Sequence, residues 1–359
     1  MSSLLDDLNQ FQSIFSPHLE NFLAEHKASV KSIHPLAFEM ADRLNEFILR
    51  GGKRIRPALL FYGYQGFSDQ NLTEILKVGV ACELVQAFFL IHDDIMDEAL
   101  LRRGGETIHK IFANNSFKPT NVYSKDQNNG ACSRYGESIA ILMGNLAGYL
   151  GIKAINAIDC NEATKRQITD LYSQMCIDVN YGQALDLSHQ SFDQLSEKYI
   201  FDIYRYKTAR YTTEFPLLCA GLLANQSETT QNTLLEIGSK LGIIFQIQDD
   251  ILGMFGDESD IGKSTLSDIA QGKKTILICK AWEKSETEEK DYLAKNYGNP
   301  NITLQEAWQV RAIIKNTGAL DYAKAIIKQN SQYVLKSLEV LNLRHSGNAF
   351  IEKMLDYYA

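Results

Sequence analysis

ELVQAFFLIHDDIMDEALLRRGGETIH, from Glu83 to His109, is the stretch on which the rest of the chain turns. An apolar run, Ala87 to Ile91, leads into Asp93, Asp94 and Asp97, and Arg102 and Arg103 follow closely. Read as a helix, Asp93 and Asp97 are i and i+4, so both carboxylates lie on one face. Like charges so placed repel, and a cation relieves them. Oxygen donors with no nearby Cys or suitably spaced His favour a hard ion, Mg²⁺ above all. Taken alone, the cluster is equally the solvated acidic end of a helix.

A second acidic cluster lies far downstream in FQIQDDILGMFGD, Phe245 to Asp257. Asp249 and Asp250 also follow apolar helical sequence. Two such acidic pairs are expected to face each other across a cleft and hold metal ions between them. Phosphate is the natural third party, because Mg²⁺ is commonly shared between a few carboxylates and substrate phosphates.

The composition sets outer limits. The chain has 359 residues, of which 45% are hydrophobic, enough for one large core. Only six Pro and many i, i+3, i+4 apolar patterns predict an all-α protein, a single domain over 1–359. A formal charge of −8 argues against nucleic acid or an anionic membrane as partner. Six scattered Cys (Cys82, Cys132, Cys160, Cys176, Cys219, Cys279) suggest reduced thiols and a cytoplasmic setting. The opening MSSLLDDLNQFQ lacks a signal-peptide pattern. No apolar run approaches the length needed to cross a bilayer.

Residues 3 to 26 and 36 to 50 read as amphipathic helices parted near His34-Pro35. RGGKRIRP, Arg50 to Pro57, then packs four cations into seven residues. Its two Gly allow close backbone approach to a ligand, and Pro57 suits a helix start. This is an anion site or a basic connecting loop. Asp69 or Asn71 would cap the helix that carries the first acidic motif. The polar stretch 113–134 reads as an exposed loop. Helical pattern resumes over 135–157, with Gly144, Ala147, Gly148 and Gly151 permitting close packing. Another helix covers 162–187, with Gln183 and Asp186 polar on a packable surface. In 197–224, Lys207 and Thr208 stand within helical sequence that Phe215-Pro216 is expected to interrupt. Residues 231–254 carry the second cluster, with Gln246 on the face of Asp249. Residues 256–275, with Lys263 and Lys273 each after a Gly, read as a loop that folds over an anion. A Walker A loop is excluded, because no Gly stands five residues before Gly262. The C-terminal third is amphipathic helix, with a capping box at Thr303-Leu-Gln-Glu306.

Collected in order, GGKRIRP, DDIMD with LRRG, YKTA, FQIQDDILG, and GKSTLSD with QGKKT resemble the trans-isoprenyl diphosphate synthases, the polyprenyl synthetase family. The resemblance runs from about residue 45 to 280. It implies an all-α bundle of ten or more helices around a deep cavity, a homodimer, and condensation of isopentenyl diphosphate with an allylic diphosphate. It further implies that Asp93 and Asp97 bind two Mg²⁺ ions and Asp249 a third. Asp94 and Asp250 match the motifs as well, but on helix geometry they would point away from the pair and act from behind the metal ligands. Arg102, Lys207, Thr208, Gln246, Lys263 and Lys273 match the family's contacts to the allylic diphosphate. Gly52, Lys53, Arg56, Gln86 and Arg103 match those to isopentenyl diphosphate. Three departures stand out: Gly253 where many members have a third Asp, Asn145 where Asp is usual, and a long 113–134 loop. Asp257 offers local charge without being assigned as a ligand.

Chain length should be set by Phe88 and Phe89, five and four positions before Asp93, roughly 6–7.5 Å down the helix. Two rings there resemble the farnesyl-producing pattern, with geranylgeranyl diphosphate as the alternative product; both rings could equally be core. A class I terpene cyclase shares the first motif but carries Ser or Thr and Glu where this chain has Gly253 and Asp257. A non-catalytic partner subunit would have lost Asp or basic residues that are all present. His92, beside the Asp pair, is read as a helix-packing residue.

Overall fold

The computed structural model describes residues 3–113, 130–188, 191–256 and 266–358. They form two compact units, Met1–Tyr172 with Leu222–Asn225, and Ser173–Gly221 with Gln226–Ala359. Among the described residues the expected all-α class holds, apart from one hairpin of two-residue strands.

Unit 1 begins with α1 (Leu4–Ser29), opened by a Ser3–Asp6 capping box. α2 (Pro35–Leu49) and α3 (Ile55–Gln65) follow. α3 starts earlier than Pro57 suggests: Arg54 takes a left-handed conformation (φ 53°), which turns the chain, and Pro57 is the third helical residue. α4 (Leu72–Met96) begins after Asn71, which makes the start by its left-handed backbone and not by a side-chain cap. Then come β1 (Leu101–Arg102), β2 (Gly105–Glu106), α5 (Ile108–Ala113), α6 (Gly130–Asn156) and most of the first half of α7 (Glu162–Leu187). α4 is the central rod, with Val78, Ala81, Cys82, Leu84 and Val85 fully buried. It lies along α6, and glycine makes the approach possible. A Cβ at Gly144 would stand 2.2 Å from the His92 ring, and one at Gly148 would stand 3.4 Å from Phe88.

This corrects one expectation. Among the described residues, α4 and the 134–156 part of α6 are long and apolar enough to cross a membrane. A helix surrounded on most sides by protein is apolar nearly all round, and 67% and 50% of their most apolar windows are buried in the fold.

Unit 2 holds the rest of α7, α8 (Glu197–Ile203), a π-helical segment Tyr204–Glu214, most of α9 (Phe215–Leu223) and α10 (Glu228–Phe255). Helices Ser267–Ala270, Ile276–Lys284, Thr287–Asn296, Leu304–Asn316, Ala319–Leu341 and His345–Tyr358 follow. The capping box at Thr303 and Glu306 is present. Phe215-Pro216 does not interrupt the helix as the sequence predicts. The Phe215 N–H instead reaches back to the Arg210 carbonyl, an i→i−5 bond, and Pro216 becomes the second residue of α9. The wider π turn accommodates a residue that cannot donate. Three glycines of neighbouring helices press on this segment. A Cβ at Gly182 would lie 2.3 Å from Lys207 N, one at Gly238 2.8 Å from Glu214 Cα, and one at Gly242 2.3 Å from Ala209 Cβ.

Candidate active site

In unit 1, α4 ends at Met96 and Asp97 is its C-cap, its N–H bonded to the Asp93 carbonyl at 2.8 Å. A helix C-terminus carries partial negative charge. Asp93, Asp94 and Asp97 are therefore repelled by the helix as well as by one another, and only positive charge compensates. Asp97 is exposed and Asp93 half-buried, whereas Asp94 is 1% exposed. Asp94 turns away from the pair and holds a neighbouring cation. Its Oδ1 accepts from Arg102 Nε at 2.7 Å and lies 2.5 Å from Nη2, while the same Nη2 stands 3.6 Å from Asp93 Oδ2. Burial alone would lower the Arg102 pKa; Asp94, Asp93 and Asp97 more than reverse this and raise it. An all-oxygen donor set with two carboxylates one turn apart fits Mg²⁺ at Asp93 and Asp97.

Arg102 and its neighbour part company at the hairpin. Leu101 pairs with Glu106 and Arg102 with Gly105. Arg103 (φ 53°) and Gly104 (φ 74°) form the two-residue turn, both left-handed as such tight hairpins require. Arg103 thereby turns to Gly52, where a Cβ would lie 3.3 Å from its Cζ. With its amide oriented by its neighbours, Gln86 accepts from Arg56 Nη1 at 2.9 Å and Arg103 Nη2 at 3.1 Å. Burial lowers the Arg103 pKa, and Arg54, Arg56 and Arg102 lower it further against the opposing pull of Glu83. This group of cations favours an anion.

Not every cation of the RGGKRIRP stretch belongs to it. Arg54 is buried against Glu83, with Nη2 also donating to the Ile48 carbonyl at 2.7 Å. Arg50 Nη1 donates to the Glu106 carbonyl at 2.6 Å and ties down the hairpin. Lys53 is exposed and Arg56 half-buried beside Gln86. His92 Nδ1 lies 2.8 Å from the Phe88 carbonyl, in keeping with a packing role. Asn145 is exposed on α6.

Unit 2 gathers most of the remaining candidates around α10. Thr208 Oγ1 donates to Gln246 Oε1 at 2.6 Å, and Gln246 Nε2 to Asp250 Oδ1 at 2.9 Å. The other oxygen of Asp250 accepts from the buried Tyr204 hydroxyl, which itself accepts from Ile276 N–H at 2.8 Å. Burial pushes the Asp250 carboxyl up to about 8, although the Tyr204 and Gln246 hydrogen bonds pull down. Asp250 is thus a buried strut, and Asp249 beside it is exposed. Lys207 Nζ is 2.5 Å from Asp186 Oδ2, and Lys274 Nζ donates to the Asp186 carbonyl at 2.8 Å. Lys273 Nζ is 2.6 Å from Asp268 Oδ1. Asp186 shows in the sequence as a polar position on α7. Tyr204 carries no local signal, whereas Arg50 shows only as one cation of the basic stretch and Asp268 only as the last residue of GKSTLSD. Lys263, Asp257 and 114–129 of the polar loop lie outside the described residues.

The polyprenyl synthetase family model matches residues 39–314. A short chain isoprenyl diphosphate synthase of Methanocaldococcus jannaschii is 32% identical over 305 residues, spanning 85% of this chain and 84% of that protein. A geranylgeranyl diphosphate synthase of Sulfolobus acidocaldarius is 31% identical over 313 residues, 86% of each. The solved geranylgeranyl pyrophosphate synthase of Corynebacterium glutamicum, complexed with isoprenyl diphosphate and magnesium, superposes with a TM-score of 0.87 at 27% identity over 98% of both chains. The chain belongs to the polyprenyl synthetase family, and its enzyme class is that of a prenyltransferase.

Proposed function

We propose that the protein joins isopentenyl diphosphate head-to-tail to allylic diphosphates, as a single synthase domain dependent on Mg²⁺, and releases a short all-trans prenyl diphosphate. The observation that carries this reading is the divergence of Arg102 and Arg103. Two diphosphate substrates need two anion sites of different character. One is acidic and completed by metal, at Asp93 and Asp97 with Arg102 beside them. The other is basic without metal, at Gly52, Lys53, Arg56, Gln86 and Arg103. Mg²⁺, when bound, would neutralise the allylic diphosphate and favour its departure. Asp249 is assigned a third ion, and Lys207, Thr208, Gln246, Lys263 and Lys273 the charge that builds on the leaving group. Asp94 holds the Arg102 guanidinium in place for the same charge. Apolar walls shelter the allylic cation from water, and the departing diphosphate takes the final proton.

The farnesyl expectation gives way to geranylgeranyl diphosphate as the favoured product. Two considerations support the longer chain. Relatives named for geranylgeranyl diphosphate recur among the similar proteins. In addition, the two rings are not equivalent. Phe89 shares the face of Asp93, whereas Phe88 meets His92 edge-on at 5.0 Å and packs at Gly148. One ring in line with the aspartates leaves more room than two. A homodimer agrees with the exposed Ile141, Leu142 and Tyr149 of α6. Incubation of the purified protein with Mg²⁺, isopentenyl diphosphate and each allylic starter, followed by product chain-length analysis, tests the whole reading. No prenyl product would refute the activity, and C15 as sole product would refute the length.

A further inference from the structure

Arg205 and Glu214 stand near the two ends of the π segment, yet Arg205 Nε lies 3.6 Å from Glu214 Oε1. Winding decides whether two residues so far apart in the segment can meet. An α-helix has about 3.6 residues per turn, so a spacing of nine makes about two and a half turns and puts the side chains on opposite sides. The i→i+5 bonding of a π-helix takes about 4.4 residues per turn, and the same spacing closes about two full turns on one side. The pair therefore belongs to π winding and is lost in an α-helix.

Glu214 is 1% exposed, and its other oxygen accepts from Arg210 Nη1 at 2.7 Å. Arg210 Nε lies 2.8 Å from Asp178 Oδ2 on α7, and Gln174 Nε2 donates to the second Asp178 oxygen at 2.9 Å. Burial raises the Glu214 pKa, against the opposing pull of Arg210 first and Arg205 second. A carboxylate buried there keeps its charge only beside both cations. Lys207 and Thr208 lie between the two arginines in the chain. α7 thus braces the segment twice, at Arg210 through Asp178 and at Lys207 through Asp186.

We propose that Glu214 is a positioning residue for the allylic diphosphate: by joining Arg205 to Arg210 it locks the π winding that aims Lys207 at Asp186 and Thr208 at Gln246. This rests on the reading of Lys207 and Thr208 as contacts to that diphosphate. Glu214 acts through them and touches no substrate. Without its charge the segment is released toward ordinary winding, and the two groups leave their places.

The test is steady-state kinetics with geranyl diphosphate, isopentenyl diphosphate and Mg²⁺ on wild type, Glu214→Gln, Lys207→Ala, their combination, and Arg205→Met. Circular dichroism checks that each is folded. Glu214→Gln should raise KM for geranyl diphosphate or lower kcat, cutting kcat/KM for that substrate about tenfold or more. KM for isopentenyl diphosphate should stay within about twofold, a split that general loosening of the fold would not give. In the combined variant the loss should fall short of the product of the single losses by about threefold or more, because a displaced Lys207 is already missing. Arg205→Met, which removes only the long-range pair at a half-exposed site, should cost about two- to fivefold. If Glu214→Gln does not fold, Arg205→Met decides, and unchanged kinetics there overturns the inference. So do a folded Glu214→Gln with wild-type kinetics, KM values raised alike for both substrates, or losses that simply multiply. Wild-type kinetics in Lys207→Ala overturns the reading of Lys207 and this inference with it.

Discussion

Arg102 donates through Nε to the buried Asp94 at 2.7 Å, and so the middle aspartate of the first motif grips an arginine whose Nη2 also stands 3.6 Å from Asp93 Oδ2. Replacing Asp94 with Asn keeps the shape and removes the charge. We expect kcat to fall about 10- to 100-fold, the usual effect of losing a partner that orients a site residue. Steady-state kinetics beside a Mg²⁺ titration checks this. A loss confined to Mg²⁺ affinity would instead mean that Asp94 itself binds metal.

Phe88 and Phe89 lie with ring centroids 4.8 Å apart yet have different surroundings. Phe89→Ala should lengthen the product, read by chromatography of the dephosphorylated alcohols. Phe88→Ala should change length less and stability more, since it opens a gap at His92 and Gly148, at a cost of about 3 kcal/mol in urea unfolding.

The Tyr204 hydroxyl serves Asp250 and the Ile276 N–H at once. Tyr204→Phe strands both buried groups. A destabilisation of about 1–3 kcal/mol is expected from denaturant curves. KM for the allylic substrate should rise as well, because Gln246 and Thr208 hang from the same chain of bonds.

His26 and His109 are both held below the ordinary imidazole pKa, in each case first by burial; Lys153 adds to this at His26, while Glu137 and Glu98 oppose it at His109. The unfolded chain therefore binds protons at these rings more readily than the folded one. Stability from this source is full above about pH 6.5 and is lost as pH falls through the lowered folded values. Thermal melts from pH 8 to 5 should show the decline, and a His26→Gln/His109→Gln variant should show a shallower one.

How much of this was written in the sequence depends on how local each cause is. Asp93 and Asp97 declare themselves by spacing, and the 162–187 helix matches the pattern residue for residue. Lys207, Thr208 and Gln246 were legible as residue types at recognised positions. The hairpin was harder, because two residues per strand give no alternation to read. It is made by left-handed backbone at Arg103, which a sequence favours only weakly. The π segment was hidden altogether. Its register follows from glycines on α7 and α10, far off in the chain.

The π segment gives the chain an unusual sensitivity to length. An α-helix turns about 100° per residue. Deleting any one residue between Arg210 and Phe215 would let the helix relax to ordinary winding and swing Lys207 and Thr208 about a quarter-turn or more away from Asp186 and Gln246. In that stretch the number of residues matters as much as their kind.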